Sequence, residues 1–177
     1  MKLIRITVVA AALAAIAASH AASAANETEA ALGVILDSSV KRFEALKGTK
    51  LGIEKAAWIA NYKPEGMVCV IRDETAEDQF EYSTMTCSTG EESDLNTILA
   101  QRKRVERAIA EIRPDWVWFR VTQDPSDAAE EAYTGPSKDE LRIALQYAED
   151  ETGQYFIFRV DDQPFGVTTP LIPVPKP

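Results

Sequence analysis

Cys69 and Cys87 are the two cysteines of a 177-residue chain, and their surroundings say more than their number. Each lies in a β-like run, 67–72 and 80–87, with the polar, acidic stretch 73–79 between them. That order predicts a hairpin. Placing residue 69 opposite 87 puts 72 opposite 84 and centres the turn near 78. A bridge across such a pair closes a loop of about 19 residues and is worth roughly 3 kcal/mol in the chain-entropy picture. Redox pairs sit in C-x-x-C spacing at a helix start. These two do not, so a structural disulfide is expected.

Arginine closes three apolar runs: Val68 to Arg72, Asp115 to Arg120 and Gln154 to Arg159. If Arg72, Arg120 and Arg159 gather at one side of a sheet, their guanidinium groups make a local anion site for a carboxylate or phosphate. Antiparallel neighbours would spread them to opposite ends, and a charge at a strand end is common in any sheet. Alternation along the second run puts Trp116, Trp118 and Arg120 on one face and Val117, Phe119 and Val121 on the other. In the third run Tyr155, Ile157 and Arg159 oppose Phe156, Phe158 and Val160. With helices on one sheet face only, the Trp and Tyr sets, which carry the arginines, are expected on the wet side, with Trp58 and Tyr62 as additions. Trp and Arg dominate binding hot spots. The expected contact residues are therefore Trp116, Trp118, Arg120, Tyr155, Arg159 and Arg72.

Other chemistry is sparse. The one histidine, His20, lies in an N-terminal segment that reads as a leader. Without it, Ser-His-Asp, Cys-His and histidine–metal chemistry all drop out. Carboxylates are numerous, but none of their clusters has the spacing of a calcium loop. There is no glycine-rich phosphate loop and no nucleophile elbow. No cofactor or metal is expected.

The leader itself is well marked. Lys2 and Arg5 precede the apolar stretch Ile6 to Ala18, which is too short to span a bilayer comfortably. Ala22-Ser23-Ala24 fits a small-x-small cleavage site, with Ala25 as the new N-terminus. Cleavage leaves 153 of the 177 residues and, with Lys2 and Arg5 gone, takes the net charge from −9 to −11. So acidic a body repels nucleic acid and anionic membrane alike. The expectation is a bacterial, periplasmic or secreted protein with no stable membrane insertion once the leader is cut.

The positioning elements follow from periodicity and breakers. Asn26 and Glu29 start a helix with Leu32, Leu36, Val40, Phe43 and Leu46 on one side, ending near Lys47. Residues 51–62 are ambiguous between a short helix and a strand around Trp58. Ser93 or Asp94 caps a second helix that Pro114 stops. Residues 123–136 read as a long acidic loop. Ser137 and Glu140 form a capping box that opens a third helix through Leu141, Ala144, Leu145 and Ala148. Residues 167–169 read as a short edge strand, and 170–177, with four prolines, as an extended tail. The expected architecture is α+β: about three helices on one face of a mostly antiparallel four- to five-stranded sheet, with one disulfide. The chain divides into a signal peptide (1–24), one domain (25–169) and the tail (170–177).

These readings favour a non-catalytic exported protein that binds an envelope protein or a small anionic ligand through an aromatic–arginine sheet face. The balance is against catalysis. The alternatives are a carboxylate-based hydrolase, for example one acting on a glycan through an Asp/Glu pair, and an inhibitor or accessory subunit of an envelope enzyme that inserts the tail or the 123–136 loop.

Overall fold

Among the described residues, strands outnumber helices nine to two. The computed structural model describes residues 27–52, 56–75, 81–90, 93–121, 131–151 and 153–177. The expected leader with His20, the cap at Asn26, the hairpin turn 76–80 and most of the 123–136 loop lie outside the described residues.

Helix α1 is described over residues 27–39 and buries Thr28, Ala31, Leu32, Ile35, Leu36 and Ser39 on one stripe. It stops well short of the expected Lys47. Arg42 and Phe43 follow with φ of 55° and 56°, which turns the chain back. Fully buried Phe43 anchors this left-handed pair, which costs about 1 kcal/mol or more per residue. Four strands then form a meander: β1 (Lys47–Lys50), β2 (Ala57–Ala60), β3 (Met67–Thr75) and β4 (Glu81–Thr89). Helix α2 (Leu95–Ile112) is capped by Asp94, whose carboxylate accepts from the Asn96 and Thr97 amides. Four more strands follow: β5 (Val117–Val121), β6 (Ala132–Gly135), β7 (Ile143–Asp150) and β8 (Gly153–Asp161). Finally β9 (Leu171–Val174) adds to the edge at β5.

All pairings are antiparallel, in the order β1-β2-β3-β4-β8-β7-β6-β5-β9. The expected α+β architecture with about three helices and four or five strands is thus corrected to a nine-stranded sheet with two helices among the described residues. The expected third helix is strand β7. The expected capping box does not form: Ser137 makes no side-chain cap bond, its Oγ donates to Glu140 Oε2 instead, and only a single 3-10 turn (Lys138–Glu140) results. Leu141, Ala144 and Leu145 stand at helical spacing, but in the structure Leu145 joins the helix-side core while Leu141 and Ala144 pack on the other face, and the ladder with β8, from Ile143–Val160 to Asp150–Gly153, decides for the strand. The ambiguous 51–62 segment supplies β2, and the far end of the expected loop supplies β6. In the proline-rich tail, residues 171–174 form an edge strand, the sheet position where proline is tolerated; residues 167–169 do not.

The hairpin forms with the expected register: Cys69 faces Cys87 and Arg72 faces Thr84. The two cysteines are joined in a disulfide with Cα atoms 4.0 Å apart. Both helices lie against the same sheet face. Leu32, Ile35, Ile98, Val105 and Ile109 share one core with Cys69, Ile71, Met85, Cys87, Phe156, Phe158 and Val160.

The chain is therefore built twice on one plan, a helix followed by a four-stranded meander, and the two meanders join at β4 and β8. Arg72, Arg120 and Arg159 fall inside their strands and not at the ends, and those strands do not occupy equivalent places in this plan. They are β3, β5 and β8, which are the third, first and fourth strands of their meanders.

Candidate functional site

The described residues cover only half of the sheet face away from the helices. After β8 the chain folds back over β7, β6 and β5. There Phe165, Val167 and Leu171 pack on Phe119, Val121, Tyr133, Leu141 and Ala144. The Phe165 amide, bonded to the Leu141 carbonyl at 3.1 Å, fixes this return. Coverage ends at β8. Over β8, β4 and β3 lies an open cleft of ≈ 520 Å³, walled by Arg72, Glu74, Tyr82, Thr84, Thr86, Arg159, Asp161 and the loop residues 163–165.

Strand direction decides which arginines reach it. Strands β3 and β8 both run antiparallel to β4 and so point the same way. Thr84 faces Arg72 on one side and Asp161 on the other, while Thr86 faces Arg159. Two strand spacings and a two-residue step put the Arg72 and Arg159 Cα atoms about 12 Å apart on one face, a span two arginine side chains can cover. Strand β5 runs the opposite way, and its register places Arg120 level with Ala132 and Leu145 on the helix side. There Arg120 Nη1 meets Glu106 Oε1 of α2 at 3.0 Å.

The six expected contact residues thus separate. Arg72 and Arg159 share the cleft. Tyr155 lies on the same face, half-buried, two steps along β8 from Ile157. Trp118 is on the helix side at 2 % exposure, and Trp116 packs half-buried against the same core. Alternation gave the right division on β8, where Phe156, Phe158 and Val160 are fully buried. On β5 the division also holds, Trp118 and Arg120 against Phe119 and Val121, but the Trp and Arg face lies under the helices instead of on the open side, and the returning loop packs on the other. Trp58 also belongs to the helix side, under the Lys47 ammonium at 4.4 Å, whereas Tyr62 is exposed.

Charge in the cleft is arranged around Arg159. Its Nε donates to Asp161 Oδ2 at 2.8 Å, and its guanidinium lies over the Phe165 ring at 4.7 Å. Asp161 is 5 % exposed. Burial pushes its carboxyl up to about 6 against the pull of Arg159, with Asp162 and Glu74 adding to the rise. Glu74 accepts a hydrogen bond from the Tyr82 hydroxyl, which raises the phenol above its ordinary value. Arg72 is exposed and has no ion-pair or hydrogen-bond partner among the described residues. Among the described residues, the cleft therefore offers one guanidinium without a side-chain partner, one held by an internal carboxylate, two threonine hydroxyls and an aromatic wall. Those groups suit an anion carried on an apolar or planar body.

Sequence reasoning missed Thr84, Thr86, Asp161 and Phe165. Thr84 was within reach, since the hairpin register already set it beside Arg72. Phe165 was not, because a loop returning over a sheet leaves no periodic signal. Among the described residues no group of three potential ligands stands ready for a metal ion, and no helix is long and apolar enough to cross a membrane. Comparison with protein-family models, with curated proteins and with solved structures finds no significant match to this chain.

Proposed function

We propose that this is an exported binding protein without catalytic activity, and that its ligand site is the cleft on the open side of the sheet. The observation that carries the reading is the uncommitted Arg72 beside Arg159, over strands that nothing else in the described chain covers. A small anionic ligand, or an acidic segment of an envelope protein, matches these groups. The leader at residues 1–24 and the disulfide suit an oxidising compartment, periplasmic or extracellular.

A thermal-shift and NMR screen of small organic anions tests the site. Binding is expected for the native protein, with at least a tenfold loss in Arg72→Gln, as removal of a charge-assisted hydrogen bond implies. Equal binding by both proteins would move the site elsewhere. Intact mass of the purified protein tests export; the expected product begins at Ala25 and lacks His20.

One observation favours a second reading. Asp161 and Glu74 line the same cleft, one carboxyl holding its proton toward neutral pH and the other tied to Tyr82. Two such acids are the minimum equipment of a glycan hydrolase. Turnover of chromogenic glycosides that disappears in both Asp161→Asn and Glu74→Gln would establish it.

A further inference from the structure

Arg159 is the more deeply engaged of the two cleft arginines, and what engages it is a carboxylate. Asp161 Oδ2 sits 2.8 Å from Arg159 Nε, in the place an incoming carboxylate would take. The aspartate is buried and lines the cleft floor, while the Arg159 side chain keeps 42 % of its surface exposed. An anion approaching Arg72 from solvent thus meets a second guanidinium already occupied from below.

We propose that the cleft is a proton-coupled carboxylate site: a ligand carboxylate bridges Arg72 and Arg159, and Asp161 gives up its pairing with Arg159 by taking up one proton. This rests on the reading of the cleft as an anion site. The balance is simple. One anion enters, one proton is bound from solvent at Asp161, and the net charge of the cleft stays unchanged. Without the proton, three carboxylates, those of the ligand, Asp161 and Glu74, would share two arginines.

The groups facing Asp161 all bear on this exchange. On its own strand are Arg159 and, next along the chain, Asp162. From β3 come Arg72 and Glu74, and from β4 Tyr82. On the β7 side Arg142 turns its guanidinium to the Asp162 carbonyl at 2.6 Å, and Arg42 sits 3.9 Å from the Asp162 carboxylate on the helix side. Neither reaches into the cleft, so Arg159 is the cation whose release the proton controls. The position of the Asp161 carboxyl at about 6 sets the range in which this happens.

Benzoate is a suitable probe, because it stays ionised from pH 8 down past 6 and carries a ring for the Phe165 wall. Its dissociation constant is to be measured by NMR titration of the full mature protein at several pH values and constant ionic strength. The native protein is expected to bind about tenfold more tightly for each unit of pH lowered toward 6, the limit for uptake of one proton. Asp161→Asn is expected to bind at least as tightly as the native protein at pH 6, with no pH dependence. Arg72→Gln and Arg159→Gln are each expected to weaken binding at every pH. Near-UV circular dichroism of the tryptophans reports that each variant is folded. Benzoate binding with the same constant at pH 8 and pH 6 in the native protein overturns the proton coupling and leaves the anion site standing. No binding by either the native protein at pH 6 or Asp161→Asn overturns the anion site and the coupling together.

Discussion

Arg120 of the sheet and Glu106 of α2 meet at 3.0 Å in the interior, and the same carboxylate oxygen takes Arg102 Nε at 3.1 Å. Glu106 is 7 % exposed and Arg102 3 %. A carboxylate buried between two guanidinium groups makes the helix–sheet contact here ionic, with Arg102 also stacked over Tyr147 at 4.5 Å. Removing its charge takes away the carboxylate that Arg102 and Arg120 share inside the helix–sheet contact. Glu106→Gln is therefore expected to lower unfolding free energy by about 3–5 kcal/mol, read as a shift of the urea midpoint. A loss below about 1 kcal/mol would mean that water already compensates the arginines.

The Cys69–Cys87 bridge ties facing residues of adjacent strands. Replacing both cysteines with alanine is expected to cost about 3 kcal/mol from the freed loop, with a further loss from the vacated core positions. Anion binding should survive at temperatures where the variant is folded, because the bridge lies on the helix side and the cleft on the other.

Asp161 makes stability depend on pH with a defined sign. Its folded carboxyl sits near 6, above the ordinary 3.8, so the folded state holds the proton more tightly than the unfolded one. The group adds no penalty below about pH 4. Stability then falls as pH rises from 4 to 6, and the penalty is complete above 6, at about 3 kcal/mol. Asp161→Asn is expected to exceed the native protein in thermal stability at pH 8 and to converge with it near pH 4. A difference that does not vary with pH would refute the linkage.

Gly135 ends β6 where the chain doubles back on itself. A Cβ built there would lie 2.4 Å from the Glu140 carbonyl oxygen and 2.8 Å from the Leu141 Cα. Those are backbone atoms of a tight turn and cannot swing aside. Gly135→Ala is expected to cost at least 1–3 kcal/mol, the range for overpacking, measured by thermal unfolding.

Legibility followed how many independent signals each segment carried. The β3–β4 hairpin was readable to the residue because two cysteines pinned its register. Helix α2 was readable because Asp94 and Pro114 bracket it. Strand β7 reads as a helix because Leu141, Ala144 and Leu145 stand at helical spacing, and only pairing with the following strand β8 overrules it. Strands β1 and β9 are four residues each; β1, Lys-Gly-Thr-Lys, has no apolar residue, and β9, Leu-Ile-Pro-Val, is apolar but interrupted by a proline. At the site, Arg72 and Arg159 were visible as the close of apolar runs, but their meeting depends on strand order, which one sequence does not encode locally. Arg120 shared the same local signature and went to the opposite face.

The two-meander plan also dictates when the sheet can be finished. Within each half, every strand pairs with its immediate successor, so both halves can zip as they emerge from a ribosome or a translocation pore. The seam between β4 and β8 is different: residue 84 must wait for residue 161. Until then β4, already paired with β3, leaves the amides and carbonyls on its β8 side unmet. That is the interval in which a β8 strand from a neighbouring chain competes for the same place.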